Sequence, residues 1–324
     1  MKISIVTPSY NQGKFLETTL RSVLEQDYAD LEYFVIDGKS SDDSVAIIER
    51  YAHRLEKWVS EPDHGQAEAI NKGFSWASGE IIAWINSDDY YLKGTFHKVV
   101  RLFQDNPEIG LLFGDVISID ENRKVINVHS CGETTLQDLM TFKIINQPAV
   151  FMRRSVLEEA GYLDEGYHYL LDHHLWLRIA AISDMKYISQ PLAVARYHQD
   201  AKNLSAQSGF GKEAYKIVKW LQEWPVTAKK FADNEKKVRA GAYRIDGYYH
   251  SIAHQYKESL QKYFRCIFLH PSTALQDWKR IFFTFFALFG FRKLEKSIRH
   301  VKTEQLSKYQ ELVSQYDIFK GIGL

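Results

Sequence analysis

The chain reads as an α/β protein: a doubly wound, mostly parallel sheet over residues 1–205, followed by a helical C-terminal region over 206–324. Three observations predict this. Strand-like and helix-like patterns alternate from Ile3 to Asp89, which is the signature of βαβ units. A polar loop follows each strand-like segment of that stretch. Beyond His198 the pattern changes to long helical stretches rich in Lys and aromatic residues, broken at Pro225 and Pro271.

The elements follow in order. Ile3–Val6 is a short buried strand, and the loop Thr7-Pro8-Ser9-Tyr10-Asn11-Gln12-Gly13 leaves it. Leu16, Leu20, Val23 and Leu24 then mark one apolar helix face. Tyr33–Ile36 is the second strand, closed by Asp37-Gly38-Lys39-Ser40-Ser41-Asp42-Asp43. Ser41 or Asp42 suits the N-cap of a helix through Val45, Ile48 and Tyr51. Val59 begins a weak third strand that runs into Glu61-Pro62-Asp63-His64-Gly65. A helix to Ala77 ends at Ser78-Gly79. Ile81–Ile85 is the fourth strand. From Asn106 the pattern loosens, with strands expected over Leu111–Asp115, Val116–Ile119 and Asn146–Met152, and a helix over Leu171–Ile182.

In doubly wound sheets ligands bind beyond the carboxyl ends of the strands. The loops at 7–13, 37–43, 61–66 and 86–89 are therefore expected along one rim, and they bring Asp37, Asp63, Asp88 and Asp89 with them. Asp172 is expected to join them. Adjacent acids such as Asp88-Asp89 repel unless a cation or a ligand's donors hold them together. A divalent metal carrying a diphosphate does both, because phosphates and hard carboxylate oxygens share Mg²⁺ or Mn²⁺. An isolated Asp-Asp pair reads more simply as a solvated turn; the convergence of four loops favours the metal.

Composition sets the bounds. Hydrophobic residues at 45% and aromatics at 14% exclude general disorder. Two cysteines, Cys131 and Cys266, cannot build a disulfide framework, so a reducing compartment is expected. A strand-like start without a signal-peptide pattern points the same way, to the cytoplasm. The net charge of zero conceals a division: residues 1–205 carry 20 Lys and Arg against 30 Asp and Glu, and residues 206–324 carry 21 against 11. The basic half suits an anionic surface such as a membrane, or is simply the wet face of Lys-rich helices.

Taken together and in order, several segments resemble the family 2 glycosyltransferases, of the GT-A nucleotide-diphospho-sugar transferase fold. They are Ser4-Ile5-Val6-Thr7-Pro8-Ser9-Tyr10-Asn11-Gln12-Gly13, Val35-Ile36-Asp37-Gly38-Lys39-Ser40-Ser41-Asp42, Asn71-Lys72-Gly73 with Ser78-Gly79-Glu80, and Asn86-Ser87-Asp88-Asp89. Gly161-Tyr162-Leu163-Asp164-Glu165 and Leu171-Asp172-His173-His174-Leu175-Trp176-Leu177-Arg178 complete the set. The resemblance covers roughly residues 1–205 and implies a sugar transferase of surface polysaccharide synthesis.

It also implies roles. Thr7, Pro8, Ser9 and Tyr10 line the nucleotide pocket, Asp37 accepts a hydrogen bond from the base, and Asp63 and Gly65 approach the nucleoside. Asp88 and Asp89 match the end of the metal motif, Asp89 being the first candidate for direct contact with Mg²⁺ or Mn²⁺. Asn86 stands where the family usually has an acid, which removes one negative charge. Asp172 matches the catalytic base, with Leu171 and His174 replacing its usual acidic neighbours. His198 falls where relatives carry an Arg-X-His beside the diphosphate, so it joins the metal set, and Arg196 could pair with phosphate. Inverting transfer needs one carboxylate to take the acceptor proton, whereas hydrolases also need an acid for the leaving oxygen.

The expected partners are a nucleotide-sugar donor and a saccharide or lipid-linked oligosaccharide acceptor, with no nucleic acid. Two alternatives stand beside this reading. A sugar-phosphate nucleotidyltransferase shares the sheet and the metal logic, but it wants a cation-rich first loop, and here no cation comes before Lys14. A nucleotide-sugar-binding subunit with impaired catalysis would account for Asn86 and His174. His168, His173 and His174 lack the compact spacing of a zinc site and are expected in the acceptor cleft or on the surface.

In the C-terminal third, residues 281–291 form the most apolar window, flanked by Lys279, Arg280, Arg292, Lys293, Lys296 and Arg299. Eleven residues fall short of the roughly 20 that a spanning helix needs. The window reads either as an interfacial segment on an anionic membrane or as a helix packed on the catalytic domain.

Overall fold

The structure, a computed structural model, describes residues 1–198, 207–290 and 303–314. The boundary expected at 205, Phe291, and the basic residues Arg292, Lys293, Lys296 and Arg299 lie outside the described residues.

Four strands, β1 (Ile3–Ser9), β2 (Leu31–Asp37), β3 (Lys57–Ser60) and β4 (Ile81–Trp84), pair in parallel in the order β3-β2-β1-β4. Their crossovers are α1 (Gly13–Leu24), α2 (Ser44–Tyr51) and α3 (Gln66–Trp76). The period-two alternation of the strands sorts the helices onto two faces. Ile3, Ile5, Tyr33, Val35, Ile81 and Ala83 pack with Leu16, Leu20 and Val23 of α1 and with Ile47 and Ile48 of α2. Val6, Phe34, Ile36, Ile82 and Trp84 face the other way, toward Ile70 and Phe74 of α3. Gly73 is needed there: a Cβ on it would lie 2.4 Å from Val6 Cγ1 and 2.9 Å from Ile36 Cδ1, so only glycine lets α3 approach the sheet this closely.

The remaining strands are β5 (Tyr90–Tyr91), β6 (Ile109–Ile119), β7 (Val125–His129), β8 (Val150–Arg153) and β9 (Asp184–Arg196). In this second half the sheet becomes mixed. β8 lies between β4 and β6 and is antiparallel to both; β5 is antiparallel to β9 and β7 to β6, and only β6 and β9 run parallel. The chain between β6 and β7 is a short turn closed by Asp120 N–H to Lys124 O, too short for the crossover that parallel pairing requires. Leu111–Asp115 and Val116–Ile119 are one continuous strand, with its pairing register to β9 shifting at Asp115 and Val116.

Helices α4 (Thr95–Asp105), α5 (Leu136–Met140), α6 (Arg154–Ala160) and α7 (Leu171–Ile182) complete the first region. α8 (Gln207–Glu223), α9 (Pro225–Ile252), α10 (Tyr256–Leu269), α11 (Pro271–Leu275), α12 (Trp278–Leu288) and α13 (Thr303–Ser314) follow. Pro225 and Pro271 each open a helix, where the missing N–H costs nothing. Phe210, Ile217 and Leu221 of α8 and Val238 and Ile245 of α9 share one hydrophobic cluster with Trp176 of α7 and Trp84 of β4. α12 is divided: Phe283, Thr284 and Ala287 are buried, while Trp278, Phe282, Phe285 and Leu288 are exposed.

Candidate active site

The parallel register sets Ser9 beside Asp37 and Asp37 beside Ser60, so three strand ends lie level. Asp37 is fully buried, and its carboxylate accepts from Ser40 N (2.8 Å), Ser40 Oγ (2.5 Å) and Ser60 Oγ (2.7 Å). Those bonds make it a cap for its own loop. Asp42 accepts from Gly13 N (2.8 Å) and Ser44 N (3.0 Å), tying together the starts of α1 and α2. Asn11 clasps the same loop, accepting from Ser41 N and donating its own N–H to Ser40 Oγ, both at 2.8 Å. Thr7, Pro8 and Ser9 are buried within β1, and of the expected pocket-lining four only Tyr10 is exposed.

Asp63 is half-buried and carries the accessible carboxylate of this end of the rim. It accepts from Gly65 N (2.9 Å), and its other oxygen faces Gly38. Burial first, then the charges of Glu68 and Asp37, raise its pKa above the usual carboxylate range. Gly65 adopts φ 131°, closed to side-chain-bearing residues, and opens α3.

At the end of β4, Asn86 turns the chain through Asp89 N–H to Asn86 O (3.1 Å). The two acids then part. Asp89 is buried and accepts from Arg196 N (3.0 Å), with the Asn86 amide at 3.4 Å. Burial, then the neighbouring Asp88, holds its pKa well above the ordinary value. Asp88 keeps a partly exposed carboxylate and meets His198 Nε2 at 3.0 Å. The His198 ring rests against Phe15 at 4.7 Å, and its Nδ1 is buried with no hydrogen-bond partner among the described residues. Among those residues no group of three His, Cys, Asp or Glu side chains is arranged to hold a metal. The Asp88–His198 pair nonetheless fits one: a hard oxygen and an imidazole nitrogen side by side suit Mn²⁺ or Mg²⁺ when phosphate oxygens complete the shell. Arg196 is buried over Phe15 and donates Nε–H to Asp88 O at 3.1 Å. It braces the turn and does not face outward toward a phosphate.

Asp172 occupies the first turn of α7 and is half-buried. One turn later Trp176 stacks on Trp84, the last residue of β4, at 5.4 Å and 24°. That stack packs the second turn of α7 against the end of β4, the strand that leads into the Asp88 turn. Asn71 of α3 holds the preceding segment, accepting from Leu163 N (3.0 Å) and donating to Leu163 O (2.9 Å). Arg178 donates to the carbonyls of Ala160, Gly161 and Tyr162 at 2.7–2.9 Å. The motif residues around Gly161 and Asn71 are therefore the scaffold of the Asp172 loop.

The expectation of surface or cleft histidines holds only for His168, which is exposed. His173 and His174 are core residues at 1% and 3% exposure, because adjacent positions of α7 face α5 and α8. His173 donates Nε2–H to Leu139 O (3.0 Å) and stacks on Phe142. His174 lies against Tyr167 at 4.3 Å and Trp220 at 4.5 Å, with neither ring nitrogen partnered among the described residues. Burial lowers their pKa values to about 4 and about 3, respectively. Gln147 was not visible from sequence as part of the rim; it donates to Trp84 O (2.8 Å) and accepts from Asn86 at 3.4 Å.

The profile of Glycosyl transferase family 2 matches residues 4–161. The GalNAc(5)-diNAcBac-PP-undecaprenol beta-1,3-glucosyltransferase of Campylobacter jejuni is 25% identical over 286 residues, covering 82% of this chain and 87% of that protein. The UDP-Glc:alpha-D-GlcNAc-diphosphoundecaprenol beta-1,3-glucosyltransferase WfgD of Escherichia coli is 26% identical over 205 residues, covering 63% and 79%. Among solved structures, S. aureus TarS 1–349 superposes with a TM-score of 0.60 at 16% identity, over 86% of this chain and 92% of that one; this likeness establishes the GT-A fold. The ordered motifs, the fold and these relatives agree: the chain is a glycosyltransferase and belongs to glycosyl transferase family 2.

Proposed function

We propose that the protein is an inverting transferase that moves a hexosyl or N-acetylhexosaminyl group from a UDP-sugar to a hydroxyl of a polyprenyl-diphosphate-linked saccharide, in surface polysaccharide synthesis. The observation that carries it is the Asp88–His198 contact of 3.0 Å in the turn after β4, the strand on which the Asp172-bearing helix packs through Trp176 and Trp84. The names of the two bacterial relatives, both glucosyltransferases acting on diphosphoundecaprenol-linked sugars, support the acceptor class.

The roles divide by position. Asp63, partly exposed at the β3 end, receives the base N–H, while buried Asp37 shapes the loop behind it. Asp88 and His198 would hold Mg²⁺ or Mn²⁺; Asp89 orients the turn through Arg196 N. When bound, the cation offsets the charge that develops on the departing nucleoside diphosphate. Asp172 takes the proton from the acceptor hydroxyl as that oxygen attacks the anomeric carbon, which inverts the configuration.

The C-terminal helices support a peripheral contact with an anionic membrane, the location of such an acceptor. Phe264 and Phe268 of α10 and Trp278, Phe282 and Phe285 of α12 are exposed, Phe268 at 90%. Arg265, Lys279 and Arg280 lie among them. No helix of the described residues is long and apolar enough to span a bilayer. Phe282→Asp with Phe285→Asp should abolish co-sedimentation with phosphatidylglycerol vesicles; binding that survives the pair would sink the membrane contact.

The test of the site is thermal shift with UDP and GDP, with and without Mn²⁺. UDP at about a hundred times its Kd should stabilise by roughly 2.7 kcal/mol. The Mn²⁺-dependent part should vanish in Asp88→Asn and persist in Asp172→Asn. Asp172→Asn should lower transfer by about 10²- to 10⁴-fold, and transfer that survives it contradicts the base assignment.

A further inference from the structure

The segment that delivers Asp172 ends in three consecutive backbone N–H groups, those of His168, Tyr169 and Leu170, just ahead of α7. All three donate to one carboxylate, Glu213 of α8: His168 N to Oε1 at 2.7 Å, Tyr169 N to Oε2 at 2.9 Å and Leu170 N to Oε2 at 2.7 Å. Glu213 is 8% exposed, and it comes from the region beyond residue 205, outside the matched family profile at 4–161. A buried carboxylate without donors is costly, and three charge-assisted bonds satisfy it. The bonds therefore fix the segment as firmly as they fix Glu213. Neighbouring contacts brace the same stretch. Lys216 donates to Gly166 O at 2.9 Å, and Phe210 lies against the Tyr169 ring at 5.1 Å.

We infer that Glu213 is a positioning residue for transfer: by gathering the N–H groups of 168–170 it sets both the place and the basicity of Asp172. This rests on the reading of Asp172 as the base. N–H groups at a helix start stabilise a nearby anion and so weaken it as a base, and Asp172 already accepts from His173 N at 2.7 Å. A carboxylate that occupies the three N–H groups just before α7 keeps them from adding to that effect and puts a negative charge ahead of the helix. The C-terminal region thus supplies part of the catalytic geometry from outside the nucleotide-binding half.

The experiment measures UDP release from UDP-glucose with a polyprenyl-diphospho-N-acetylglucosamine acceptor, together with hydrogen exchange of the amides at 168–170. Glu213→Gln should lower kcat at least tenfold, leave the KM for UDP-glucose and UDP binding within twofold, move the acid limb of the pH profile to lower pH, and speed exchange of the three amides. Glu213→Asp keeps the charge with a shorter reach; it should lower kcat while leaving the acid limb in place, and it decides the matter if the Gln variant does not fold. Lys216→Met removes a contact to the same loop without touching the three N–H groups, and it should keep kcat. Unchanged kcat in a folded Glu213→Gln, unchanged exchange at 168–170, or an equal loss in Lys216→Met would overturn the proposal. Asp172→Asn in the same assay separates the two ideas: transfer that survives it removes the base reading, whereas its loss alongside a normal Glu213→Gln removes only the role of Glu213.

Discussion

His173 and His174 make the stability of this protein steeply dependent on pH. Burial, then the charge of Arg178, lowers the His174 pKa to about 3; burial lowers that of His173 to about 4, against the Leu139 hydrogen bond that raises it. An imidazole in the unfolded chain titrates near 6.5. Below that value the unfolded state binds protons that the folded state refuses, so stability falls as pH falls. From pH 6.5 to pH 5 the two residues together should lower the folding equilibrium about two-hundredfold, roughly 3 kcal/mol. His174→Phe keeps the ring between Tyr167 and Trp220 and removes one of the two protons, leaving a fall of about fifteenfold. Urea unfolding of both proteins at several pH values from 7.5 to 5 reads the difference directly, because carboxylates that titrate in the same range contribute equally to each. Identical pH dependence in the two proteins would refute the reasoning, since it would mean that His174 titrates freely in the folded state.

Two further outcomes follow from the core. Gly73→Ala places a methyl 2.4 Å from Val6 Cγ1 and should cost about 1–3 kcal/mol in urea unfolding. Glu32 joins β1, β2 and the start of β4 through Lys2, Ser4 and Ser78; burial raises its pKa, but the hydrogen bonds outweigh that and hold it at about 2. That contribution is present above the unfolded carboxylate range near 4.5 and is lost as pH falls through about 2. Glu32→Gln should therefore destabilise by about 1–3 kcal/mol at pH 7 and by progressively less in acid.

Sequence made the first half legible because its information is local. The apolar face of α1, the period-two strands and the polar loops after β1, β2, β3 and β4 predict the parallel sheet and its rim. The 13-residue β9 was invisible, since the alternation of Asp184-Met185-Lys186-Tyr187 is brief and Ser189-Gln190-Pro191 interrupts the strand. The strand expected over Asn146–Met152 is found as β8, but its antiparallel direction gives no local signal, being set by partners far along the chain. Within the candidate site, the motif letters do not tell neighbouring acids apart. Asp37 and Asp63 read alike, as do Asp88 and Asp89. Burial separates each pair, committing Asp37 to its own loop and Asp89 to the backbone of Arg196 while Asp63 and Asp88 keep open faces. The C-terminal contribution was the least legible, for Glu213 acts on the backbone of residues 168–170, which no side-chain motif can announce.

Two of the three departures from the family pattern, Asn86 and His174, bear on whether catalysis has been lost. Asn86 accepts from Gln66 Nε2 (2.6 Å), and its own amide lies 3.4 Å from Asp89 and from Gln147. A third carboxylate there would crowd a turn that already holds Asp88 and Asp89, so a neutral amide stabilises the acid pair without touching the Asp88–His198 contact. His174 does not face the reaction at all. It is enclosed by Tyr167 and Trp220, and the change from an acid to an aromatic ring joins α7 to α8, the helix that carries Glu213. Neither substitution alters Asp88, His198 or Asp172 themselves. Both fit a transferase in which the segment carrying the base is held from the C-terminal side.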